Sequence, residues 1–265
     1  MLLRSGGEIG YHGYNHQPLS PKSLDYKGVY SYNTWEESAM VSAMKELVRF
    51  NEELFPNVEK SVYVPPSNVL SAEGRKVLVE EIPEIKTIAS NYFPGDFAYD
   101  QEFEWASDGM VEQPRIISGG MLDDFMQLAA FSELNMHFVN SHFIHPDDTL
   151  DVDRGAELGW AVLKSNLEHY ISWLKAAAPD LRDLTGSQLS GAIQRYSALV
   201  PKQKNTATGI EWTFDHFYDE VYLFVRINEG QVGSHVNGGT LTHLTGNLYL
   251  LKARQAKVTM DWSEE

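Results

Sequence analysis

The sequence predicts an α/β fold followed by a small antiparallel β-rich region. Two observations set this expectation. Short apolar strand candidates alternate with amphipathic helical stretches up to about Leu199, the pattern of a parallel sheet with crossover helices. After Pro201 the texture changes to segments rich in β-branched and aromatic residues, separated by turn signals. A length of 265 residues at 43% hydrophobic is enough to bury a sizeable core. The division implied is an α/β domain over 1–200 and a β-rich appendage over 201–265.

The elements follow in order. "LLRSGGEIGYHG" reads as a helix end, a Gly-Gly turn and a short strand. Thr34 and Glu37 have capping-box spacing, and Met40, Met44, Leu47, Val48 and Leu54 recur at helical spacing, so a helix runs from Thr34 to near Pro56. "SVYVPPSN" is a strand cut off by Pro65-Pro66, because neither proline can donate to a ladder. Ser71 caps a helix to about Glu81, and "IKTIASNYF" is a further strand candidate. "RIISGG" reads as a strand, "LDDFMQLAAFSEL" as a helix and "MHFVNSHFIHP" as a buried strand with a His-rich exit. "AELGWAVLKSNLEHYISWLKAAAP" is the longest helical pattern, with Leu158, Ala161, Leu167, Tyr170, Ile171 and Leu174 on one face. "TGSQLSGAIQRYSAL" is a last short helix. Beyond it, "KQKNTATG" reads as a loop, and "IEWTFDHF", "EVYLFVRI", "GTLTHLTGNLYLLKA" and "AKVTMDW" as strands.

Composition narrows the function. The formal net charge is −16, which repels nucleic acid and acidic membranes and accommodates a neutral or cationic partner, such as a sugar polymer carrying free amines. No apolar run approaches the roughly 20 residues of a membrane helix, and "MLLRSGGEIG" contains no signal-peptide core. There are no cysteines, so a metal site must draw on His, Asp or Glu.

Two stretches carry chemistry on their own residues. His12 and His16 stand four apart in "EIGYHGYNHQPLS". Gly10, Gly13 and Asn15 argue against a regular helix there, which places the pair on a loop after a strand. Such a loop can aim both imidazoles at one metal; two unrelated loop histidines are the alternative. "NSHFIHPDD", with His142 and His145, leaves a strand candidate where parallel strand ends gather catalytic groups, and a histidine there is a natural general acid or base. Asp147 and Asp148 serve equally as caps of a following helix.

Taken in order, "GGEIGYHGYNHQPL", "YVPPSNVLSAEGRKVL" and "FIHPDD" resemble the motifs of polysaccharide deacetylases of the carbohydrate esterase family 4 type. The resemblance covers roughly residues 5 to 150. It implies an incomplete deacetylase-type (β/α) barrel, with His12 and His16 as metal ligands and a divalent metal, Zn2+ by preference. His145 falls on the catalytic histidine, with His142 as the alternate. The divergent "VPPSN" and "SNYFPGD" segments and the β-rich tail are similar to a branch that acts on secreted exopolysaccharides. That similarity implies N-deacetylation of an N-acetylhexosamine polymer and an extracellular or cell-surface setting. Tyr63, Pro65 and Pro66 would line the acetyl pocket, and Tyr92, Asp96, Phe93 and Trp105 would bind sugar.

Departures from the family pattern are specific. The family's Thr-Phe-Asp-Asp-Gly motif, which supplies the base and the third metal ligand, does not occur, so the expectation is a chain lacking the first barrel strand. Asp96, Asp147 or Asp148 would be the substitute carboxylate. Val64 stands where the family has an arginine, Gly13 where it has a hydroxyl residue, and Ser67-Asn68 where it has an aromatic-glycine pair. The competing reading is a non-catalytic carbohydrate-binding or scaffold protein that kept the fold and lost the chemistry.

Overall fold

The computed structural model describes residues 2–21, 24–26, 30–32, 35–90, 102–228 and 232–262. The fold is mixed α/β. It divides into two compact units, Met1–Ile193 and Gln194–Glu265.

In the first unit the elements are β1 (Leu24–Tyr26), β2 (Tyr30–Tyr32), α1 (Glu37–Leu54), β3 (Val62–Tyr63), α2 (Ala72–Glu81), β4 (Thr87–Ile88), β5 (Glu104–Trp105), β6 (Val111–Glu112), β7 (Ile117–Ser118), α3 (Asp124–His137), β8 (His142–Phe143), α4 (Gly159–Ala177) and α5 (Gly186–Ala198). The boundary between the units falls within α5. β3 pairs with β4 and β4 with β6, all parallel, while β5 closes the edge antiparallel to β6. β7 and β8 form a separate parallel pair, and β1 and β2 an antiparallel one. Two isolated parallel bridges, Tyr11 to Tyr63 and Leu19 to Leu70, bring the N-terminal segment alongside β3 and its exit. Among the described residues the strands do not close into a barrel.

The helices form where spacing and caps direct. Met40 and Met44 are the buried positions of α1, and Leu47 and Val48 pack beside them. The N-cap is Glu36, whose side chain makes no capping hydrogen bond, so α1 starts later than the Thr34 capping box implies; Thr34 lies outside the described residues. Ser71 caps α2 as its type and place suggest, its Oγ accepting from Gly74 N at 3.0 Å. Gly74 permits the closest contact in the unit: a Cβ there would lie 2.1 Å from the Leu19 carbonyl oxygen. α1 and α2 cover a core of Tyr11, Leu19, Tyr63, Leu70, Val77, Leu78, Ile82, Ile85, Ile88 and Met110. Burying each large aliphatic side chain of this set contributes roughly 1.5–3 kcal/mol.

Two local expectations fail. The apolar run from Met136 is not a buried strand. Its first residues finish α3, which stops where Phe138 turns left-handed (φ 57°), and only the half-buried pair His142–Phe143 is a strand. On α4 the inward positions are Leu163, Leu167, Tyr170 and Leu174, at helical spacing, whereas Leu158, Ala161 and Ile171 are exposed.

The second unit contains β9 (Val200–Asn205), β10 (Gly209–Asp215), β11 (Val221–Arg226), β12 (Val232–Asn237), β13 (Gly239–Thr245), β14 (Leu248–Ala253) and β15 (Lys257–Trp262). They form two antiparallel sheets in the orders β12-β15-β10-β9 and β11-β14-β13. Their facing sides bury Trp212, Phe214, Val225, Leu251, Val258 and Met260. The "KQKN" stretch, expected as a loop, is edge strand β9. All its residues are exposed, and Pro201 is tolerated because an edge leaves one side of the ladder unpaired. No helix among the described residues is long and apolar enough to cross a membrane.

Candidate functional site

The candidate residues gather at strand exits. Tyr11 N donates to Val62 O and Val64 N to Tyr11 O, each at 2.8 Å, so the chain before His12 runs as a further parallel strand beside β3. His12 is the first residue past that ladder. Its Nδ1 lies 2.8 Å from the Val64 carbonyl oxygen. A carbonyl only accepts, so Nδ1 carries the hydrogen and the Nε2 lone pair is left for a metal or a proton. Position 64 therefore serves the site through its backbone.

The loop then folds back on itself. Gly13 has φ +72°, and a Cβ there would meet Pro66 Cγ at 2.5 Å. Asn15 and His16 are both left-handed, at φ 51° and 56°. These turns bring the His16 ring to 4.9 Å from the His12 ring, nearly perpendicular at 77°. The pair is thus a loop pair and not a helical one. Partial burial holds the His16 imidazole below its ordinary pKa, and the neighbouring His12 and His145 add to this. A neutral imidazole at neutral pH is the form that binds metal.

His145 follows β8. It N-caps a short turn, Pro146–Thr149: its N donates to Asp148 Oδ2 at 3.2 Å, and its O accepts from Asp148 N at 3.1 Å. Its Nδ1 faces Asp148 Oδ1 at 3.7 Å, and Arg154 reaches that oxygen at 3.3 Å. Burial first, then Arg154, lower the His145 pKa; Asp148 and Asp147 oppose, and Arg115 adds to the lowering. His142 is placed differently. Its Nε2 hydrogen-bonds the Gly119 carbonyl at 2.7 Å and its ring stands edge-on to Tyr170 at 5.3 Å, anchoring β8 to β7 and α4. The charge of His145, besides that of His12, acts on His16.

Other expected site residues fall elsewhere. Tyr63 is fully buried in the core, its hydroxyl without a partner among the described residues, so its side chain cannot line a pocket. Pro65 and Pro66 are buried too, Pro66 backing the Gly13 turn. Trp105 lies exposed on β5. Tyr92, Phe93 and Asp96 lie outside the described residues. Among the described residues no group of three His, Asp or Glu that could hold a metal is present, and Asp148 is held by Arg154 and the His145 turn. The paired rings and the tied Nδ1 of His12 leave two imidazole nitrogens as the donor set that a metal would find here.

The model of a family described as an uncharacterised protein conserved in bacteria, DUF2194, matches residues 1–250. The chain belongs to the DUF2194 family. No curated protein and no solved structure matches it.

Three polar residues of this DUF2194 chain tie neighbouring elements together. Glu8 Oε1 accepts from Ser187 N at 2.9 Å, placing a carboxylate at the start of α5, where the helix dipole favours it. Gln113 joins the same helix end through Gly186 O and Ser190 Oγ, both at 2.7 Å. Arg115, at the exit of β6, donates to Asn68 Oδ1 at 2.8 Å. Acid and base residues carry no sequence signal of a partner that is distant along the chain, so neither the Ser187 partner of Glu8 nor the Asn68 partner of Arg115 is legible in the sequence.

Proposed function

We propose that the first unit is a metal-dependent N-deacetylase acting on an N-acetylhexosamine polysaccharide. The observation that carries this reading is the pairing of the His12 and His16 rings past the strand exit, with the His12 tautomer set by the Val64 carbonyl and His145 acting on His16 through its charge. His12 and His16 would hold a divalent ion, Zn2+ by preference. When bound, such an ion polarises the acyl carbonyl and lowers the pKa of water.

The chain's own residues supply the proton chemistry. Amide cleavage releases an amine that must be protonated as the C–N bond breaks. His145, with its pKa lowered, is neutral at neutral pH. It takes a proton during attack of water and returns it to the leaving nitrogen. Asp148 Oδ1 faces Nδ1 at 3.7 Å, and its charge favours the imidazolium that forms when the ring takes the proton. The parallel strands β3, β4 and β6, with β7 and β8, support an open arrangement of the deacetylase (β/α) barrel kind, in which strand C-termini carry the site. A net charge of −16 suits a product polymer that gains cationic amines with each turnover. The setting that goes with such a substrate is extracellular or cell-surface.

The test is acetate release from N-acetylglucosamine and N-acetylgalactosamine polymers in the presence of Zn2+. Release that falls about 10²–10⁴-fold in His145→Ala supports the reading. Polymer binding without acetate release would replace it with a carbohydrate-binding protein.

A further inference from the structure

Arg115 touches three strand exits besides its own. Its backbone N and its Nε both donate to Ser90 O, at 2.6 and 3.3 Å, at the exit of β4. One Nη donates to Asn68 Oδ1 at 2.8 Å, beyond β3. The guanidinium carbon lies 4.3 Å from the centre of the Phe143 ring, in β8. Phe143 in turn meets the His145 ring edge-on at 5.4 Å.

Each partner needs holding. Ser67 and Asn68 are consecutive left-handed residues, at φ 50° and 57°. Such a conformation costs a non-glycine residue free energy and persists where surrounding contacts determine it. The turn they form is the one whose Pro66 packs against Gly13, between His12 and His16. Phe143 sits two residues before His145. One planar guanidinium therefore connects the wall behind the histidine pair to the strand that delivers the third histidine. A lysine could supply the charge but not the fork and the stack.

We propose that Arg115 is the positioning residue of this cleft, fixing the Pro66–Asn68 turn and the Phe143–His145 exit relative to one another. The proposal rests on the cleft being the functional site, so its test reads the residues themselves before it reads turnover. The groups that act on His145 are Asp147 and Asp148, which raise its pKa, and Arg154 and Arg115, which lower it, with His16 opposite.

The experiment is histidine and side-chain amide NMR on the 265-residue chain, comparing wild type with Arg115→Gln, Arg115→Lys and, as control, Trp105→Ala. Arg115→Gln should move the Asn68 side-chain amide signal, whose oxygen loses its donor, and move the His145 titration upward, while His142 titrates as before. Arg115→Lys should keep the His145 titration near wild type and still move the Asn68 signal, because charge is retained and the fork is not. If Arg115→Gln does not fold, the Lys variant alone decides on its Asn68 signal. Unchanged Asn68 and His145 signals in a folded Arg115 variant would overturn the proposal, whether or not the wild type binds zinc or releases acetate. Loss of zinc binding in the wild type, with the Arg115 effects intact, would instead remove the deacetylase reading alone.

Discussion

The Nδ1 of His12 donates to the carbonyl oxygen of Val64 at 2.8 Å, across the parallel bridge that joins Tyr11 to Tyr63. A backbone carbonyl thereby decides which nitrogen of a candidate ligand stays free. The ladder that supports this contact involves only main-chain atoms, so position 64 tolerates another β-branched side chain. Val64→Ile should keep the zinc affinity of the wild type within about twofold, as calorimetry would show, since substitutions that leave such supporting contacts intact have small effects.

Gly13 is the hinge of the same loop. Its φ of +72° and the 2.5 Å approach of a Cβ to Pro66 Cγ leave no room for a side chain. Gly13→Ala should destabilise the unit by about 1–3 kcal/mol through strain and overpacking, measured by urea denaturation. The distance between the His12 and His16 rings should also increase, read as loss of their mutual NOE contacts.

Gly74 makes a packing contact with no role in the chemistry. A Cβ there would stand 2.1 Å from Leu19 O, so α2 would have to retreat from the Leu19–Leu70 bridge. Gly74→Ala should lower stability by about 1–3 kcal/mol, although alanine favours a helix, because overpacking against backbone outweighs propensity. Hydrogen exchange at Ser71 N, which donates to Leu19 O, should speed up in the same variant.

Glu8 lies inside the stretch that resembles a metal motif, yet its carboxylate holds Ser187 N at the start of α5. Glu8→Ala should cost about 1 kcal/mol of stability, the usual value of a lost helix cap, and leave zinc affinity unchanged. A tenfold loss of zinc affinity in that variant would assign Glu8 to the metal and not to the helix.

Glu133 on α3 is 2% exposed; among the described residues it accepts from Ser141 N alone, at 3.1 Å, and burial pushes its pKa up to about 8. The folded state therefore holds a proton that the unfolded chain gives up near its ordinary value of 4.5. Stability from this group is fully present below that value and is lost as pH rises toward about 8, by on the order of a few kcal/mol. Thermal melts across this range should show Tm falling with pH in the wild type and a flatter profile in Glu133→Gln.

Periodicity and caps made the helices legible: the Met40–Met44 spacing and the Ser71 cap correspond to structure. The alternating strands of the second unit were legible for the same reason. Edge strand β9 was not, because Lys202, Gln203, Lys204 and Asn205 face solvent and carry the composition of a loop. Nor was the end of α3, where an apolar run continues past a helix stop made by Phe138 in a left-handed conformation. His12, His16, His142 and His145 stand out by residue type and spacing, whereas the hydrogen bond that ties the His142 ring to the Gly119 carbonyl leaves no trace in the sequence. Partners distant along the chain, such as Ser187 for Glu8 and Asn68 for Arg115, leave no local trace.

The central claim is that His12, His16 and His145 share one site. Titration of the histidine-labelled chain with Zn2+, followed by long-range ¹H–¹⁵N NMR, tests it most directly. The account predicts that Nε2 of His12 shifts together with a ring nitrogen of His16, that His145 is perturbed by the nearby charge, that His142 is silent, and that His12→Ala loses at least about tenfold in affinity. Zinc that leaves His12 and His16 unshifted, or binds His12→Ala as tightly as the wild type, would contradict it.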